Sequence, residues 1–175
     1  ELSYQKGIAK ALNTLGDIFF FLQQHRRSLH FYNRAIELTR LINNKLVLGF
    51  SLVEKGTVLL ETGDWEELKR VATEAATLAD ELGNPDLHFE AQLLAVKADF
   101  AAGHAQGSHN RLLALLPHAH TPDQEAAVRY ELFRIDPLDA NSHLRALQLY
   151  QKLYRETPRY LFKFRLDILE RLVVS

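Results

Sequence analysis

Apolar side chains return every third or fourth residue through almost the whole chain, the spacing of amphipathic α-helices rather than of strands. Ile8, Leu12, Leu15, Phe19 and Leu22 predict a helix over residues 5–22, and Leu29, Tyr32, Ile36 and Leu38 or Thr39 predict a second over roughly 25–42. The break between them falls at Gln23-Gln24, and Asn43-Asn44 end the second. Another pair starts near Lys45, turns at Gly63-Asp64 and returns through 65–82. Asp64 suits an N-cap, and Glu66 and Glu67 place negative charge in the first turn, where the helix dipole favours it. A third pair is expected over 86–102 and 106–116, turning at Gly103. A fourth follows over 122–134 and 140–155, interrupted by Asp136-Pro137-Leu138-Asp139, and a lone helix over 158–173 closes the pattern. Asn84-Pro85, Thr121-Pro122 and Thr157-Pro158 read as helix starts, each a capping side chain before a proline whose missing N–H costs nothing there. Thr121 and Gln124 also have capping-box spacing.

The pairs repeat. Leu12, Gly16, Phe20, Gln23, Ser28, Tyr32, Ala35, Leu38 and Asn44 recur forty residues later as Leu52, Gly56, Leu60, Gly63, Leu68, Ala72, Ala75, Leu78 and Asn84. A weaker copy follows at Val96, Phe100, Gly103, Ser108, Leu112 and Leu115, and a fourth matches only through Ala146, Tyr150 and Leu153. A fixed period of this size marks a stacked repeat protein, in which each unit buries its apolar face against its neighbours and function resides in extended surfaces. No low-complexity linker divides the chain, so residues 1–175 are expected to be one repeat domain, with units at about 5–44, 45–84, 85–120 and 121–156 and a C-terminal helix at 158–173.

Composition narrows the classes. Hydrophobic content of 47% with 25% charged residues fits a folded chain, and a net charge of −1 gives no general attraction to nucleic acid or anionic membrane. The absence of cysteine removes disulfides, thiolate catalysis and cysteine-ligated zinc, and suits a reducing, cytoplasmic setting. Apolar runs such as Ile18 to Leu22 are too short to span a bilayer, and no signal-peptide pattern opens the chain. Methionine is absent even at residue 1, so the chain reads as a processed product or an excised fragment. Glu1-Leu2-Ser3-Tyr4 reads like the end of a preceding second helix, matching Glu37-Leu38-Thr39-Arg40. A further repeat upstream is therefore expected, with an apolar face of residues 5–22 incompletely covered in its absence.

Catalytic signatures are missing: no glycine-rich phosphate loop, no His-Glu-x-x-His, no Gly-x-Ser-x-Gly and no dinucleotide fingerprint. Neither an enzyme nor a cofactor is expected. Glu66, Glu67, Glu74 and Asp80 read as surface and capping carboxylates. His104, His109, His118 and His120 are the one enrichment that could suggest metal. His104 and His109 lie five apart, about 140° round a helix, so they do not form an i, i+4 ligand pair. Solvated turn and helix-end histidines are the simpler reading. Phe19 is expected between helices, Phe20 between repeats and Phe21 towards a groove. The last helix has a broad apolar face, Leu161, Phe162, Phe164, Leu166, Ile168, Leu169, Leu172 and Val173, suited to capping the array or to a homodimer contact.

Leu12, Leu15-Gly16, Phe19, Ser28, Tyr32 and Ala35 resemble a tetratricopeptide repeat, which places a large residue, Leu-Gly and an aromatic in its first helix and a small residue, an aromatic and an alanine in its second. Gly16 and Ser28 would let the two helices cross closely, while Tyr32 and Phe19 fill the space between units. The second unit fits through Gly56, Gly63, Asp64, Trp65 and Ala75, with Lys55 in place of the leucine; the third has Val96 and Asp99 where glycine and an aromatic belong. The forty-residue spacing is similar to the longer variant found in bacterial multidomain regulators. The resemblance implies an all-α, right-handed superhelical solenoid of helical hairpins with a C-terminal capping helix. It further implies protein or peptide binding within a larger signalling or transcriptional protein, with no direct nucleic-acid or membrane partner. In that family first helices line the concave face. This assigns Asn13, Asp17 and Phe21, then Val53, Thr57 and Glu61, then Leu93 and Lys97 to one partner-binding groove. Asp17 places negative charge where a clamp for a peptide carboxylate would need a neutral or positive group. The alternatives are a spacer or dimerisation module between catalytic domains, or a histidine-dependent metal-binding protein.

Overall fold

A computed structural model describes residues 2–171, and among them it contains nine α-helices and no strand. In chain order these are α1 (Leu2–Phe21), α2 (His25–Leu41), α3 (Lys45–Thr62), α4 (Trp65–Leu82), α5 (Pro85–Ala101), α6 (Ala105–Leu115), α7 (Pro122–Ile135), α8 (Ala140–Glu156) and α9 (Tyr160–Arg171). A 3₁₀ turn, Leu116–His118, follows α6. The helical assignment and the four expected turns are all present. Leu172 and Val173 lie outside the described residues.

The turns follow a local rule. Residues 23, 43, 63, 83 and 103, each twenty apart, all adopt positive φ, with values of 58°, 51°, 72°, 55° and 93°. Glycine occupies the last three; Gln23 and Asn43 carry a Cβ into the left-handed region, which glycine enters without penalty. The next residue along begins the following helix. Asn44, Asp64 and Asn84 each accept a hydrogen bond from the backbone N–H three residues on, whereas Gln24 and His104 make no side-chain cap. Gln23→Gly should therefore stabilise the chain by about 0.5–1 kcal/mol, the left-handed strain removed exceeding the unfolded-state entropy gained. A thermal melt in which the variant is less stable than its parent would refute this.

Three details differ from the sequence expectations. Thr157-Pro158 does not start a helix: Thr157 is the extended C-cap of α8, and α9 begins two residues beyond the proline. Thr121 does accept from the Gln124 N–H, but the Gln124 side chain returns to the His120 N–H rather than to that of Thr121. Ser3 and Tyr4 are not the tail of another helix; they are continuous with α1.

The chain divides into two compact units, Glu1–Ala98 and Asp99–Ser175. In the first, the α1–α2 pair closes where the small residues predict. A Cβ on Gly16 would lie 2.7 Å from the Tyr32 ring, and the Ser28 hydroxyl donates to the Gly16 carbonyl at 2.8 Å. Gly56, the repeat equivalent of Gly16, has another role. Ala72 stands where Tyr32 would, too short to fill that space, and Gly56 instead receives Leu94 of α5, as Gly49 receives Leu87. The core around them joins Ile36, Leu48, Leu52, Leu59, Val71, Ala75 and Leu78 to Leu87, Ala91 and Leu94. Phe19 packs within its own hairpin, stacked on Phe31 at 5.2 Å, while Phe20 lies beside Phe21 and His25.

In the second unit, α7, α8 and α9 share a core of Tyr130, Phe133, Leu149, Tyr150, Phe162, Leu166 and Leu169. The Arg165 guanidinium lies 5.1 Å from the Tyr130 ring centroid and 5.4 Å from that of Tyr150, and donates to the Tyr150 hydroxyl. Burial pushes the Tyr150 phenol up to about 12, so it stays protonated. The apolar face of α9 is thus largely used within its own unit; Phe164 and Tyr160 are its exposed rings.

Candidate functional site

The eight groove candidates all fall in the first unit, on α1, α3 and α5. Their environments separate them. Asn13 and Asp17, one turn apart on α1, face inward. Asn13 donates from Nδ2 to the Ser51 hydroxyl of α3 at 2.9 Å, and its Oδ1 is buried with no partner. Asp17 accepts from the Tyr32 hydroxyl of α2. Burial raises the Asp17 carboxyl above the ordinary aspartate range, opposed by that hydrogen bond. Burial also raises the Tyr32 phenol, and the nearby Glu54 and Asp17 carboxylates raise it further, so it remains the donor.

Val53 and Leu93 are buried and offer almost no surface to a partner; Val53 belongs to the core cluster. Phe21, Thr57 and Lys97 are half-buried and Glu61 is exposed. The Thr57 hydroxyl makes only a long 3.4 Å contact with the Val53 carbonyl of its own helix. Of the eight, Glu61 is exposed and Phe21, Thr57 and Lys97 are partly exposed, whereas Asn13 and Asp17 are held in hydrogen bonds that join helices.

Ser51 and Tyr32 were not among the groove candidates, although each holds one of them. Ser51 is a lone hydroxyl inside the apolar run Leu48 to Val53, the one sequence signal for a buried polar contact.

A second arrangement escaped the sequence reading. Lys55, buried in α3, bonds Glu67 of α4 at 2.6 Å; Arg70 bonds the same carboxylate at 2.6 Å and lies 3.7 Å from Glu74, which Arg40 of α2 reaches at 2.6 Å. This alternating chain ties α3, α4 and α2 together. The Arg70 hydrogen bonds, with help from Lys55, hold the Glu67 carboxyl down to about 2. An open depression of about 740 Å³ along α4 between Asp64 and Glu74 is lined by Glu67, Arg70 and Glu74 of this chain, with Glu66 and Lys69 beside them.

Among the described residues, no three histidine, aspartate or glutamate side chains converge as a metal site, and His118 and His120 flank an extended Ala119. No helix among them is long and apolar enough to cross a membrane. No protein-family model matches the chain, and neither does any curated protein.

Proposed function

We propose that this chain is a protein- or peptide-binding scaffold of the tetratricopeptide type, serving as the sensor or adaptor segment of a larger signalling or transcriptional regulator. In this reading the hairpins stack as a right-handed superhelix, α9 caps its end, and the working surface is the row of first-helix residues. The observation that carries the reading is the division of labour on α1: Gly16 is spent on the approach of α2, while the adjoining polar residues follow the first-helix register shared by Thr57, Glu61 and Lys97. Mixed charge along this row favours recognition by hydrogen bonding and shape over long-range steering.

Selection of a ligand from an arrayed peptide library, followed by titration, tests the binding surface. Thr57→Ala with Lys97→Ala should weaken the selected peptide more than tenfold, about 1.4 kcal/mol or more. Lys69→Ala, on the exposed side of α4, should leave affinity unchanged. Asn13 is unsuitable for this test because its bond to Ser51 also contributes to the fold. The groove reading fails if Lys69→Ala abolishes binding and the Thr57/Lys97 pair does not alter it.

A further inference from the structure

α1 has two apolar sides. One, through Ala9, Leu12 and Gly16, is buried in the first unit. The other carries Tyr4, Ile8, Ala11, Leu15 and Ile18, continued by Leu22 in the turn, and all six are exposed. Leu22 still donates its N–H to the Ile18 carbonyl, so it extends the same helical row. The spacing is four, three, four, three, four, the seam of a two-helix coiled coil, and the six positions fall within about 80° of the helix circumference. No charged side chain lies on that arc.

The repeat shows that this row is of a kind that gets covered. Forty residues on, the corresponding α3 positions Leu48, Ser51, Lys55 and Val58 are buried. The α1–α2 pair lies against α3: Asn13 bonds Ser51, and Leu29 and Ile36 join the cluster that holds Leu48. The open row on α1 also runs a turn further, because Ser3 and Tyr4 are helical where Asn43 and Asn44 form a turn.

We propose that the open row of α1 is a self-association surface, occupied by α1 of a second copy of this chain running antiparallel about a two-fold axis near residue 13. The row is its own complement in that arrangement. Tyr4 faces the partner copy's Leu22, Ile8 its Ile18, and Ala11 its Leu15, placing a small residue against a large one on either side of the axis. Gly7 and Thr14, small and exposed, border the row and permit close approach. Antiparallel packing also sets each helix dipole against the opposite end of the other. A single helix pair of this length buries less than a standard interface, so the dimer should be reversible and concentration-dependent.

Sedimentation equilibrium of the intact chain over about a hundredfold range of concentration should show its mass rising from one chain towards two. Leu15→Glu should hold it at one chain with unchanged helical circular dichroism, since Leu15 is exposed and belongs to neither buried core cluster. Should that variant fail to fold, cysteine pairing decides, because the chain has no cysteine of its own. A mixture of Ala11→Cys and Leu15→Cys chains should oxidise mainly to the mixed disulfide, the signature of antiparallel register. A chain that stays monomeric throughout, or a dimer that survives Leu15→Glu and gives no mixed disulfide, overturns the proposal. Either result would leave the face to a helix from elsewhere.

Discussion

Gly16→Leu should destabilise the chain by about 3 kcal/mol or more, the upper part of the range for overpacking a closed helix crossing. Any Cβ at residue 16 meets the Tyr32 ring at 2.7 Å, and leucine adds three further carbons in the same direction. The ring has nowhere to go: Tyr32 is 1% exposed, and its hydroxyl is tied to Asp17. The contact at Gly56 is closer on paper, 2.5 Å, but it is to a methyl group of Leu94, which can turn aside. Gly56→Ala should therefore cost less than Gly16→Ala. Gly7→Ala, with nothing within 4 Å, should stabilise α1 by up to about 1 kcal/mol through helix propensity alone. Urea denaturation of the three alanine variants, with Gly16→Leu beside them, checks the order. Equal losses at Gly7 and Gly16 would mean that helix propensity, and not the crossing, governs both.

Glu67→Gln should cost about 2 kcal/mol at neutral pH. The substitution leaves Lys55, whose side chain is only 10% exposed, without its anion, and stranding a buried charge costs more than the pair itself contributes. The carboxyl shift from 4.5 to about 2 sets a ceiling of about 3 kcal/mol, lowered because 28% of the Glu67 side chain remains in water. The folded value is depressed, so this contribution is complete above the unfolded value of 4.5 and is lost as pH falls towards about 2. The parent should lose stability over that window, and Glu67→Gln should lose correspondingly less. Lys55→Met removes the buried charge and leaves Glu67 with Arg70; it should be neutral or stabilising. A Glu67→Gln variant as stable as its parent at neutral pH, and as sensitive to acid, would show that the pair is screened into irrelevance.

The same lysine illustrates what a motif conceals. As a departure from the tetratricopeptide pattern, Lys55 reads as a weakening of the second unit. In the fold it occupies a buried position by reaching Glu67, twelve residues on, which sequence inspection alone reads as a first-turn helix charge. The groove candidates divide for a similar reason. Periodicity places Val53 and Thr57 on one side of α3, yet one is buried in the core and the other is half-exposed, because neighbouring helices cover part of that side and not the rest.

Most helices, their turns and the closure of the first hairpin were legible in the chain. Those features depend on residues within a few positions: left-handed turn sites at twenty-residue intervals, side chains that cap the next helix, and Gly16 facing Ser28 across one short turn. Which neighbour each surface meets was settled by packing. Gly56 could have faced Ala72 but receives Leu94, Asn13 finds Ser51 thirty-eight residues away, and Arg165 settles between two tyrosines of other helices. Capping and backbone conformation are fixed by adjacent atoms, whereas long-range contacts depend on side-chain volumes that meet only after the helices have packed. The open face of α1 belongs to the second kind: its apolar spacing is written in the chain, and its exposure emerges only when the helices of the first unit have packed.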